Sequence, residues 1–162
     1  MTPETRLLFI GDSMAQGLAP HVENLAHDEG IAAFAARGIV GTRLDQWAKD
    51  PWLDAELQSF SPTLVLVSLG TNDEAMGAGA ADRQSSAFEA LLAKISASGA
   101  EVAWVGPPSL PFPRHGVSDM IRARVPHYFA SESLDIPRAP DGLHPNVSGY
   151  AGWAGAIWQW LG

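Results

Sequence analysis

Residues 64–69 read Leu-Val-Leu-Val-Ser-Leu, and this run constrains the fold more than any other segment. Large aliphatic and β-branched side chains in succession suit a strand. A strand with one wet face would alternate apolar with polar residues. This one does not, so both of its faces need covering, as in a parallel sheet flanked by helices. Leu7–Ile10 and Val102–Val105 repeat the pattern, Ile31–Ala36 is a shorter candidate, and Leu134–Ile136 is a weaker fifth strand. Helical patterns stand between them. Phe88, Leu91, Leu92 and Ile95 fall at i, i+3, i+4 and i+7, and Ser98-Gly99 ends that helix. Leu18, Val22 and Leu25 share a face within Ala15–His27, although Pro20 blurs where that helix starts. Asp50-Pro51 reads as a cap followed by proline at the first helical position, and Ser118 as the cap of a helix that Pro126 ends. Tyr150, Trp153, Ala154, Ile157, Trp158 and Leu161 form one stripe of a terminal helix, expected to pack its aromatic residues onto the sheet.

Strand alternating with helix predicts an α/β fold: a three-layer α/β/α, flavodoxin-like, doubly wound parallel sheet of about five strands. The 162 residues suit a single domain over 1–162 and fall well short of the roughly 250 of a (β/α)8 barrel. Ten Lys and Arg against 18 Asp and Glu leave a net charge of −8, which disfavours nucleic acid as a partner. Lys49 and Lys94 are the only lysines, so there is no polybasic patch for a membrane surface. The longest apolar run is also far below the roughly 20 residues that span a bilayer. The chain has no Cys, hence neither disulfides nor thiolate metal ligands. Met1–Arg6 lacks a basic and apolar leader pattern, which sets the cytoplasm as the default location.

Ligands of doubly wound sheets collect beyond the C-terminal strand ends. That directs attention to Gly11–Ser13, Arg37–Thr42, Gly70–Asp73 and the loops after Val105 and Ile136. Ser13 follows the first strand and opens a helix, where its N–H can meet a developing oxyanion; its hydroxyl needs a base to become a nucleophile. Asp141 and His144 lie three residues apart in a turn-rich segment. The carboxylate can there receive the imidazole Nδ1–H, leaving Nε2 to face a strand end. Asn72, in Gly70-Thr71-Asn72-Asp73, can offer an amide N–H, and Gly38-Ile39-Val40-Gly41 can bring backbone N–H close to a ligand. Each segment alone also suits a plain cap or turn. Gly77–Asp82 loosely resembles a dinucleotide fingerprint but follows no strand and is read as a flexible loop. His21, His27, His115 and His127 show no metal-ligand spacing, and Arg37 and Arg43 read as solvated residues beside the glycines.

Taken in order, the Ser, Gly, Asn and His segments resemble those of the SGNH hydrolase superfamily, the GDSL-type serine esterases and lipases. The resemblance runs from Leu7 to the terminal helix. It implies Ser13 as nucleophile, His144 as base and Asp141 as its orienting anion. It also implies an oxyanion hole made by the N–H groups of Ser13 and Gly41 and the Asn72 side chain. Gly38 is a rival for the glycine role, with Gly41 preferred. Asp12 and Asp73 match motif positions and are read as shaping turns and caps. Met14 stands where Leu or Ile is usual, a volume-conserving change. The activity implied is hydrolysis of carboxylic esters through an acyl-enzyme, with no cofactor and no metal. The loops Glu74–Asp82 and Pro107–His115 are the expected acyl-pocket walls, with Met76, Leu110, Phe112 and His115 facing the acyl group. Neither loop is long enough to lid a deep channel, so the expected acyl chain is short, acetyl first. The family's range points to a small ester or acetylated carbohydrate as substrate. An acyltransferase, or a non-catalytic glycan-binding or structural module on the same fold, are the alternatives; the complete set of five residues argues against the module.

Overall fold

The structure, a computed structural model, describes residues 1–162. Three strands form where aliphatic runs demand burial: β1 (Arg6–Gly11), β3 (Leu64–Ser68) and β4 (Glu101–Val105). They are joined by β2 (Ala33–Gly38) and β5 (His127–Phe129) in one sheet of order β2-β1-β3-β4-β5, every pair parallel. β3 is covered on both faces as its composition requires. Val65 and Val67 enter one core and Leu66 the other.

One layer of helices consists of α1 (Ser13–Glu29) and α7 (Val147–Leu161), which pack on each other and on Leu7, Phe9 and Leu66. The opposite layer holds α2 (Leu44–Ala48), α3 (Pro51–Ser59), α5 (Ala80–Ala97) and α6 (Val117–Arg122), with the single turn α4 (Thr71–Glu74) at the end of β3. This is the three-layer, flavodoxin-like arrangement expected. Trp47, Trp104 and Trp153 are fully buried, and each indole N–H finds an acceptor: Thr42 Oγ1, the Leu69 carbonyl and Ser131 Oγ. Asp50 caps α3 by accepting the Trp52 N–H, with Pro51 at the first helical position. No helix is long and apolar enough to cross a membrane.

Three local expectations are corrected. The fifth strand is His127–Phe129, and Leu134–Ile136 is not a strand. Leu134 and Ile136 do point into the α1/α7 core, but from a loop that leads from a short 3-10 turn into Pro137. Ser118 does not cap α6: Gly116 occupies the cap position, and the Ser118 N–H donates to Glu74 Oε1 at 2.8 Å. Finally, α1 runs unbroken through Pro20, which is solvent-exposed, so the freed Gln16 carbonyl can turn to water.

Strand order reverses between β1 and β3. The chains leaving these two neighbours cross to opposite layers, α1 on one side and α4 and α5 on the other, and a crevice opens between them. Ser13 and Asn72 are the residues placed on its two sides.

Candidate active site

Asp12 adopts an extended conformation and caps α1, its Oδ1 accepting the Met14 N–H at 2.9 Å. Ser13 is therefore the first helical residue. Its N–H has no acceptor within the helix and stands at the positive end of the helix dipole. Ser13 Oγ lies 2.9 Å from His144 Nε2, and His144 Nδ1 lies 2.6 Å from Asp141 Oδ2. With Nδ1–H donated to the carboxylate, Nε2 carries the lone pair that can accept the serine proton. Asp141 Oδ1 also accepts the N–H groups of Leu143 and His144, each at 2.9 Å. The His144 bond first, then these two backbone bonds, hold the Asp141 carboxyl down at about 2, so it is anionic at neutral pH.

The local chain explains why an Asp-x-x-His segment takes this shape. Gly142 turns with φ +69, a conformation that side chains resist, and Ala139 N–H closes onto the His144 carbonyl at 2.8 Å. Asn146 then caps α7 by accepting the Gly149 N–H. Helix and hairpin together fix where His144 emerges.

On the far side of the crevice, Asn72 Nδ2 donates to the Thr42 carbonyl at 3.0 Å. That bond orients the amide and leaves its second N–H unspent. Thr42 is itself tied down, by its own hydroxyl to the Ile39 carbonyl and by the Trp47 indole. The two glycines of this loop differ in kind. A Cβ on Gly38 would lie 2.3 Å from the Gln16 backbone nitrogen, so Gly38 is needed for β2 to pack against α1. Gly41 has open space around it, a φ of +77, and an N–H that no protein group accepts.

Asp12 and Asp73 both act as anchors. Asp73 Oδ1 accepts the Leu44 N–H at 3.1 Å and Gln84 Nε2 at 2.7 Å, tying α4 to α2 and α5. Sequence reasoning missed their electrostatics. Both carboxyls are almost wholly buried, and the Oδ2 of each has no partner. Burial pushes Asp12 up to about 7, with the Asp73 charge contributing, and Asp73 up to about 6. Glu74 was also missed. Its buried carboxylate accepts the N–H groups of His115 and Ser118 and so pins the loop after β4. No sequence signal marks a carboxylate whose partners are distant backbone groups.

Of the four residues expected to face an acyl group, Met76 is half-buried against the α5-side core, while Leu110, Phe112 and His115 are half-buried along the loop after β4. The Gly77–Gly79 segment is held by the Arg83 guanidinium, which donates to the carbonyls of Met76 and Ala78 at 3.0 and 2.9 Å. No group of three His, Asp or Glu side chains is placed to hold a metal ion.

The fold is similar to that of the psychrotrophic esterase EstA from Pseudoalteromonas sp. (TM-score 0.77, 22% identity, 98% of this chain and 97% of that chain). It is also similar to the acetylxylan esterase Axe2 from Geobacillus stearothermophilus (0.74, 19%, 100% and 97%). A carbohydrate esterase family 3 protein from Talaromyces cellulolyticus matches at 0.68 and 18% over 97% and 96% of the two chains. No curated protein matches the chain in sequence. The model of the GDSL-like Lipase/Acylhydrolase family, however, matches residues 9–151, a span that includes all four motif segments. With that span and this fold in agreement, the chain belongs to the GDSL-like lipase/acylhydrolase family.

Proposed function

We propose that the protein is a serine esterase that removes short acyl groups, acetyl first, from small esters or acetylated carbohydrates. The observation that carries the reading is the continuous bonded path from Asp141 through His144 to Ser13 Oγ at a helix N-terminus. His144 Nε2 takes the Ser13 proton as Oγ attacks the ester carbonyl, and Asp141 stabilises the imidazolium that forms. The developing oxyanion is held by the Ser13 N–H, the Gly41 N–H and the free N–H of Asn72. His144 then returns the proton to the leaving alcohol. A water deprotonated by the same nitrogen releases the acid and restores Ser13.

The free N–H and open surroundings of Gly41 support it over Gly38 as the oxyanion donor. Leu110 and Phe112, with Met76 and His115, are proposed as the acyl-facing walls. Acetyl and carbohydrate are favoured by the short loops around the crevice and by the acetylxylan esterase among the proteins of similar fold.

Labelling with a fluorophosphonate tests the reading. Wild-type protein is expected to be modified at Ser13, the Ser13→Ala variant not at all, and His144→Ala only slowly. A panel of nitrophenyl esters is expected to rank acetate and butyrate above dodecanoate. Absence of both labelling and turnover would replace the esterase with a non-catalytic module, and a preference for dodecanoate would remove the short-acyl assignment.

A further inference from the structure

The guanidinium of Arg138 bonds the loop that carries Asp141 and His144 to the loop after β4. Nε donates to the Ile136 carbonyl at 3.0 Å and Nη1 to the Leu143 carbonyl at 2.7 Å. Nη2 donates to both the carbonyl and the hydroxyl of Ser109 at 3.0 Å. Ile136 and Leu143 stand on the two limbs of a short hairpin, closed by a bridge between Arg138 and Pro145 and by the Ala139 to His144 bond. Ser109 belongs to the loop after β4. One planar cation thus joins both limbs of the hairpin to a third segment.

That third segment is itself fixed. Arg114 donates to the carbonyls of Pro107 and Pro108 and to Ser118 Oγ, while Glu74 accepts from the N–H groups of His115 and Ser118. Glu74 ends α4, the same turn that carries Asn72. A bonded path therefore leads from the segment of Asn72 to the peptide that precedes His144.

The Leu143 carbonyl matters because it belongs to the peptide plane joining Leu143 to His144. Fixing that plane fixes the backbone from which the imidazole projects. The Asp141 side chain is half-exposed, and a solvent-exposed bond between two side chains holds geometry weakly on its own. The aim of the ring must then come from the backbone behind it. Lysine cannot reproduce the restraint, since four acceptors spread over both limbs and a third segment need a planar fork of donors. The contacts also occupy four of the five donors of the guanidinium, so it is committed to the protein in preference to a substrate.

We propose that Arg138 is a positioning residue that sets the aim of His144 Nε2 at Ser13 Oγ. The proposal rests on the esterase reading above and assigns Arg138 no contact with substrate. Its test compares Arg138→Gln and Arg138→Lys with wild type in the full chain, with folding followed by circular dichroism. Three quantities are read: kcat and KM on nitrophenyl acetate, the rate of fluorophosphonate labelling, and the low-field proton resonance of His144 Nδ1–H, assigned by its loss in Asp141→Asn.

In R138Q, kcat and the labelling rate are expected to fall about 10–100-fold, the cost typical of a misplaced reacting group. KM should stay within about twofold, and the low-field resonance should shift or broaden. R138K is expected to fall between R138Q and wild type. Folded variants with wild-type kcat and an unmoved resonance would overturn the proposal, as would an effect confined to KM. Failure of both variants to fold would also overturn it, by making Arg138 part of the fold and not of the aim. If wild type shows the resonance but neither labels nor hydrolyses ester, the esterase reading fails. The movement of that resonance in R138Q then still decides the positioning role.

Discussion

In the proposed mechanism Asn72 has two tasks, one for each amide N–H. One amide N–H holds the Thr42 carbonyl, and the other is assigned to the oxyanion. Asn72→Ala is therefore expected to lower kcat by about 10²–10³, as loss of one oxyanion donor typically does. Stability should drop by only about 1 kcal/mol for the lost bond to Thr42. Ester turnover beside urea denaturation separates the two effects; a variant that loses stability but keeps its kcat would confine Asn72 to the loop. The residues proposed for the chemistry stand out in sequence by their type and place: a serine after β1, an Asn after β3, a His with an Asp three residues before it. Arg138 and Glu74 are not legible in that way. They act mostly on backbone carbonyls and N–H groups, and every residue offers those groups alike.

Elements were legible in proportion to how deeply they are buried. β1, β3 and β4 carry aliphatic runs because both of their faces are covered, and their ends fell within a residue or two of expectation. β5 did not announce itself. It has three residues, lies at the sheet edge, and exposes His127, whereas Leu134–Ile136 shows the alternation of a strand while serving as a loop that plugs the α1/α7 core. β2 was found, but its glycine was ambiguous until α1 could be placed against it. Gly38→Ala drives a Cβ into the Gln16 backbone, which no side-chain rotation relieves. An expected loss of about 1–3 kcal/mol follows, and because α1 begins at Ser13, activity should fall with it. Gly41→Ala meets open space and carries chiefly the strain of its positive φ, about 1–2 kcal/mol. Chemical denaturation should therefore rank G38A as the less stable variant. The reverse ranking would remove the division between a packing glycine and a donor glycine.

For the molecule as a whole, stability should fall as pH rises from about 4 to about 7. Asp12 and Asp73 are buried, with raised pKa values of about 7 and about 6. A carboxyl of this kind favours the folded state fully while pH is below its unfolded value, near 3.8. That contribution is lost as pH rises through the folded value. Asp141 works the other way. Its pKa is depressed to about 2, so its contribution is present above 3.8 and disappears only in strong acid. Between about pH 4 and about pH 7 the buried pair therefore sets the slope, and the melting temperature should decline across that range. The net charge of −8 adds self-repulsion in the same direction, so wild type alone does not isolate the cause. Asp12→Asn does. Asparagine keeps an oxygen to cap the Met14 N–H, retains the volume, and cannot ionise. Its melting temperature should vary less with pH than that of wild type and should exceed it near pH 8. A wild-type melting temperature that climbs from pH 5 to pH 8, or an equal slope in D12N, would contradict the assignment of buried protons to this pair.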